Sequence, residues 1–298
     1  MKPIRLVFAR FVLSTILVLL VCPSPSRPQD TVIKDQPNLL TFSKIDQIPD
    51  RFTGHGVKVA IIDWQFDLSG TAAKKYIAPT SVVPGREIGE LKPWHGEWMA
   101  QIVHTIAPKA QIIPIMARDL ETHKYQEYLI DGIYYAADHG AAVVTSSMGP
   151  LNQTAKLDSA VAYAERHCTI FVNVHPETIR AEGHAARLCE NGECNPLILH
   201  TGVVSVPDHP AQPEPNRDIY TWPYDLVTVY EDGWGYSNAP PIVAGVIALM
   251  KEANPSLTTG QIRSIIVETA FESEGFRCLD AEAAVNAALS IKEDGTRH

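Results

Sequence analysis

Val57-Lys-Val-Ala-Ile-Ile-Asp63 is apolar and β-branched almost throughout, follows the breaker-rich Thr53-Gly-His-Gly56, and is too short for a helix. Such a run predicts a buried strand that ends on a carboxylate. From Glu97 to Ile106 the composition turns helical and stops at Ala107-Pro108, after which Gln111 to Ala117 predicts a second strand. Tyr125, Leu129, Ile133 and Ala136 recur at helical spacing up to Gly140, a natural residue just past a helix end. Ala141 to Ser146 then predicts a third strand, Asp158 to Arg166 a helix, and Thr169 to Val174 and Gly202 to Val206 two further strands. This alternation predicts an α/β chain, a three-layer, doubly wound, mostly parallel sheet with helices on both faces.

The last third opens on a breaker-rich stretch, Pro207 to Pro223, which predicts surface loop. Asn238 to Ala253 predicts a helix that carries Pro240 and Pro241 in its first turn, where proline is tolerated, and stops at Asn254-Pro255. Thr258-Thr-Gly-Gln261 fits a capping box opening a helix to about Ala270, and Asp280 to Leu289 a final Ala-rich one.

At the start of the chain, Lys2, Arg5 and Arg10 precede the apolar run Phe11 to Val21, and Cys22-Pro-Ser-Pro-Ser26 follows. That layout predicts a secretory signal over residues 1–26 and one domain over 27–298. This 11-residue run falls short of the ~20 that span a bilayer, so the protein is expected to be secreted or periplasmic, and membrane-anchored only if the signal stays uncleaved. Lys+Arg 25 against Asp+Glu 34 gives a net charge of −9, and the signal holds three bases and no acids, so the remainder is more acidic still. Nucleic acid is therefore excluded as a natural partner. A hydrophobic share of 45% with 20% charged residues excludes a disordered chain.

Export places Cys168, Cys189, Cys194 and Cys278 in an oxidising compartment. Cys189 and Cys194 enclose the turn-prone Glu190-Asn-Gly-Glu193 and are the favoured disulfide. Cys168 and Cys278 are expected either to pair with each other or to be free and buried. A metal site from His184, Cys189, Cys194 and His200 is the competing reading, with looser spacing than zinc modules use.

Candidate chemistry sits at three separated places. Asp63 stands at a strand's carboxyl end, where open parallel sheets build their sites. His95-Gly96 opens a helix, and Ser237 in Gly235-Tyr-Ser-Asn-Ala239 precedes another, whose free N–H groups can stabilise an oxyanion. Asp, His, Ser is one of the chain orders of the catalytic triad. Singly, each is ordinary: a strand-end cap, a turn histidine, a helix N-cap.

Gly56-Val-Lys-Val-Ala-Ile-Ile-Asp63-Trp-Gln-Phe-Asp67 resembles the G-V-x-V-A-V-I-D-T-G-I-D block of the subtilisin-like serine proteases, the subtilases. His95-Gly-Glu-Trp-Met-Ala100 with Ile106-Ala-Pro-Lys-Ala110 resembles H-G-T-H-V-A and V-A-P-x-A. Gly235-Tyr-Ser-Asn-Ala-Pro-Pro-Ile-Val-Ala-Gly245 resembles G-T-S-M-A-A-P-H-V-A-G, followed by Asn254-Pro-Ser-Leu-Thr258. Asp138-His-Gly-Ala141 fits too, and Ser147-Met-Gly149 resembles the S-L-G that lines the substrate groove. The resemblance implies a subtilisin-like fold and a protein or peptide substrate. It makes Asp63 the residue that orients the imidazole, His95 the general base and then acid, and Ser237 the nucleophile. Ser147, Met148 and Gly149 would line the groove. The resemblance implies no cofactor beyond calcium, for which no ligands are assigned.

The departures fall against these residues. Trp64-Gln65 replaces Thr-Gly, Glu97-Trp98 replaces Thr-His, and Tyr236 and Asn238 flank the serine in place of Thr and Met. Pro176 falls near the expected oxyanion Asn, which leaves His175 and Asn173 as candidate donors. Losing one such donor costs about 10²- to 10³-fold in rate, a magnitude established on a subtilisin. A signal ending near Ser26 also leaves no evident room for the propeptide usual in the family. The expectation is a secreted, slow serine endopeptidase; the alternative is a catalytically silent binding module on the same fold.

Overall fold

The strand at Lys58–Asp63, β1, shows why the chain layers as it does. Its side chains alternate between two separate cores, Val59 and Ile61 facing one, Ala60 and Ile62 the other. The structure, a computed structural model, describes residues 39–70, 72–90, 94–119, 121–149, 151–174, 195–204, 218–221 and 236–291. All of these lie in one unit, Pro37–His298. The further strands are β2 (Thr80–Ser81), β3 (Gln111–Met116), β4 (Val143–Ser146), β5 (Ile170–Val174), β6 (Ile198–Val203), β7 (Ile219–Thr221), β8 (Phe271–Ser273) and β9 (Phe276–Cys278). Among the described residues they form one sheet in the order β2-β3-β1-β4-β5-β6-β7-β9-β8, parallel except for the β8–β9 hairpin.

The helices are α1 (Leu39–Phe42), α2 (His95–Ile106), α3 (Gln126–Asp138), α4 (Ala155–Arg166), α5 (Ala239–Ala253), α6 (Thr259–Glu268) and α7 (Ala281–Ser290). α2, α5, α6 and α7 bury their apolar faces on the Val59/Ile61 side, α3 and α4 on the Ala60/Ile62 side. The chain passes from β1 out to the edge strand β2, returns through β3 and crosses to β4 on the other side of β1, with α2 joining β2 to β3 on one face and α3 joining β3 to β4 on the other. The sheet therefore reverses direction beside β1, and the carboxyl edge there is where such sheets hold ligands. α5 is apolar nearly all round and is buried from Ala239 to Met250, making it the central helix of its layer. Each fully buried Ile or Val in these cores contributes about 1.5–3 kcal/mol over an exposed one.

Several boundaries differ from the sequence expectation, each for a physical reason. α2 begins at His95, because the Gly96 N–H is capped by the Gln65 carbonyl at 2.9 Å. α4 begins at Ala155, where the Thr154 side chain accepts the Leu157 N–H at 3.2 Å. The strand expected at Gly202 to Val206 lies earlier, at Ile198–Val203, in register with β5. Within the stretch read as loop, Ile219–Thr221 is a buried strand, held by pairing Tyr220 opposite Gly202. The capping box at Thr258 and Gln261 is present, but its helix stops at Glu268 and a hairpin follows.

Cys168 is exposed and Cys278 buried, and both are free, which corrects the expectation that they pair or are both buried. The expected signal, His184 and the Cys189–Cys194 disulfide lie outside the described residues. Among the described residues, no helix is long and apolar enough to cross a membrane.

Candidate functional site

β1 delivers Asp63 fully buried at its carboxyl end, and the three residues after it lock α2 onto that end. The Trp64 N–H donates to Asp63 Oδ1 at 2.6 Å. Gln65, also fully buried, donates from Nε2 to the Glu87 carbonyl at 3.1 Å and accepts the Gly89 N–H at 2.6 Å, while its carbonyl caps α2. Phe66 packs under Gly96, leaving no room for a side chain there.

The result is a buried pair: His95 Nδ1 lies 2.8 Å from Asp63 Oδ1. A carboxylate only accepts, so Nδ1 carries the proton and the Nε2 lone pair is left to take another. Asp63 Oδ2 has no hydrogen-bond partner among the described residues. Glu97, despite its place beside His95, is turned away, accepting from the Tyr76 hydroxyl and from Gln101. Burial, reinforced by that carboxylate, pushes the Tyr76 phenol well above its ordinary range.

Ser237 is half-buried on the 3-10 turn Tyr236–Asn238 that leads into α5. The turn packs against α2, and its position is fixed by Ser147, whose hydroxyl donates to the Ser237 carbonyl at 2.6 Å. The same hydroxyl lies 3.3 Å from Met99 Sδ, one helical turn beyond His95. Ser147 thus joins the end of β4, the Ser237 turn and the first turn of α2. Among the described residues the Ser237 hydroxyl is hydrogen-bonded to neither Asp63 nor His95. Catalytic hydrogen bonds commonly tighten only when substrate binds.

Of the groove residues, Ser147 and Gly149 are half-buried and Met148 is buried. Asn173, a candidate oxyanion donor, is buried, and its amide nitrogen donates to the carbonyls of Ser146 and Met148 at 3.0 and 3.2 Å. Both of its N–H groups are thereby engaged, which corrects its placement among the oxyanion donors: it holds the Ser146–Met148 backbone instead. His175 and Pro176 lie outside the described residues. His200, offered as a metal ligand, is buried on β6, and its backbone N–H donates to Asp218 at 2.8 Å. Among the described residues no three His, Cys, Asp or Glu side chains gather as metal ligands.

Sequence reasoning missed one set of neighbours. The Trp64 ring stacks on His95 at 4.9 Å between centroids and 25° between planes, and Trp98 meets the imidazole edge-on at 6.0 Å. Arg118 lies over the Trp64 ring, 4.1 Å from its centroid. The only signal in the sequence was that Trp64 and Trp98 stand where the subtilase motifs carry other residues.

A mostly parallel sheet whose strand order reverses beside β1, with an Asp–His pair and a serine-bearing helix start at its carboxyl edge, has the subtilisin-like architecture. The profile of the subtilase family matches residues 183–292, a span that holds Ser237. The chain is similar to thermitase of Thermoactinomyces vulgaris, 27% identical over 262 residues that cover 80% of this chain and 90% of thermitase. It is also similar to fervidolysin of Fervidobacterium pennivorans, 25% identical over 203 residues, 57% of this chain and 29% of that protein. The fervidolysin crystal structure, described as a keratinolytic enzyme related to subtilisin, superposes with a TM-score of 0.64 at 20% identity, covering 82% of this chain and 44% of that one. The structure of MycP1 without its propeptide gives 0.65 at 20% identity, covering 84% and 97%. The chain is thus similar to the subtilases in sequence over most of its length and in fold, and the relatives it matches are proteases.

Proposed function

We propose that this protein is an exported serine endopeptidase that hydrolyses peptide bonds through an acyl-enzyme on Ser237. The observation that carries the reading is the buried Asp63–His95 hydrogen bond of 2.8 Å, facing the carboxyl edge where the Ser237 turn packs on α2. In the proposed reaction the Ser237 hydroxyl attacks the scissile carbonyl and gives its proton to His95 Nε2. Asp63 stays ionised and stabilises the imidazolium through Nδ1–H. The tetrahedral oxygen is held by the Ser237 backbone N–H at the helix start, with His175 offering the second donor. His95 then protonates the leaving amine, and a water deprotonated by His95 hydrolyses the ester. With the usual oxyanion Asn replaced, turnover is slow. Thermitase and subtilisin BL, which this chain matches in sequence over 90% and 92% of their length, support this reading. The basic and apolar start of the chain supports export.

The test is labelling of purified protein with a fluorophosphonate, which reports an activated serine without knowledge of the substrate. Wild-type protein is expected to label and Ser237→Ala not to, with the thermal midpoint of Ser237→Ala nearly unchanged. Folded wild-type protein that never labels would assign the chain to the silent binding module.

A further inference from the structure

The departures from the family motif next to Asp63 and next to His95 each put an indole against the imidazole. The His95 side chain is 6% exposed. Its Nδ1 edge is pinned to Asp63, but a single hydrogen bond leaves the ring free to tilt about that contact. The Trp64 face at 4.9 Å and 25° opposes tilting, and the Trp98 ring at 6.0 Å and 68° closes a second side. Trp64 is itself held: its backbone N–H donates to Asp63, and the Arg118 guanidinium lies over its ring while reaching His123 Nδ1 at 3.2 Å.

We propose that Trp64 is a positioning residue for His95, holding the imidazole with Nδ1 on Asp63 and Nε2 open to Ser237, and favouring the charge the ring takes up when it accepts the serine proton. This deepens the endopeptidase reading and rests on it. The physical reason is differential. An aromatic face attracts a cation much more than it does a neutral ring, so the stack strengthens as imidazole becomes imidazolium, a change that occurs on the way to the transition state and not on substrate binding. The contact is largely withdrawn from water, where such attraction is strongest. Trp64 therefore acts on kcat and leaves KM almost unmoved. Its effect is about 10-fold, the size of one desolvated cation–π contact.

The experiment compares wild type, Trp64→Phe and Trp64→Leu for fluorophosphonate labelling rate and for kcat and KM on a peptide substrate, with Ser237→Ala as the blank. The expected result is kcat about 10-fold lower in Trp64→Leu with KM within about 2-fold, and most of the loss recovered in Trp64→Phe. The His95 ring-proton signals should also show an upfield ring-current displacement in wild type and Trp64→Phe that is lost in Trp64→Leu. If Trp64→Leu does not fold, Trp64→Met, which fills irregular space, replaces it. A labelling Trp64→Leu that is as fast as wild type overturns the proposal alone, and a faster one shows the indole to be a barrier to substrate. Wild type that shows the ring-current displacement yet never labels overturns the endopeptidase reading, and this proposal with it.

Discussion

A β-carbon on Gly96 would stand 2.5 Å from Cζ of the Phe66 ring, so the residue after His95 is glycine because the fully buried phenyl occupies the space a side chain would need. Gly96→Ala should therefore cost about 1–3 kcal/mol by overpacking. It should also slow serine labelling, since the Gly96 N–H bond to Gln65 sets where α2, and His95 with it, begins. Thermal melts and labelling rates check this, and Phe66→Leu in the same chain should recover part of the loss. An additive double mutant would show that the two sites do not meet.

Asn173 gives a second test, because its role changed between sequence and structure. Asn173→Ala removes the donors to the Ser146 and Met148 carbonyls, and leaving buried acceptors unmade costs about 1–3 kcal/mol. The thermal midpoint should fall clearly. An unchanged midpoint with a 100-fold drop in kcat would return Asn173 to the oxyanion hole.

Those two residues mark where sequence reading worked and where it stopped. β1 and β3 were legible to within a residue because continuous apolar runs between breakers have few other fates, and the Thr258 capping box because it is local chemistry. Ile219–Thr221 was not, since three residues between breakers carry no periodicity and the strand exists only through its pairing with β6 and β9. Asp63, His95 and their contact could be expected from the motifs, but not the Gln65 cap that draws the two elements together, because it exists only in the fold. The indole stack was invisible for the same reason. Trp64 read as a departure, and only the fold shows what it departs toward.

The two described cysteines should behave oppositely toward a thiol reagent. Cys168 is exposed just past α4, whereas Cys278 is fully buried on β9, and burial pushes its thiol up to about 12. The thiolate is the reactive form, so in native protein Cys168 should alkylate quickly and Cys278 only on unfolding. Mass mapping of partly alkylated protein reads this directly. Equal rates for the two, or a Cys168–Cys278 disulfide in exported protein, would contradict it.

His104, on the face of α2 remote from Asp63, should make stability depend on pH. Its Nε2 is buried without a hydrogen-bond partner among the described residues, and burial, aided by the charge of Lys75, lowers its pKa from 6.5 to about 4. Above 6.5 the imidazole is neutral in both folded and unfolded chains, so its titration costs nothing. As pH falls from 6.5 toward 4, the unfolded chain takes up a proton the folded one resists, and stability drops across that window. Below about 4 the folded histidine is protonated too, and the loss stops growing. His104→Gln removes the titration while keeping a polar side chain. Melting curves of the two proteins should therefore converge or cross as pH falls through this range, wild type losing stability faster. Because carboxylates titrate identically in both, parallel curves between pH 6.5 and 4 would show that His104 is not the group responsible.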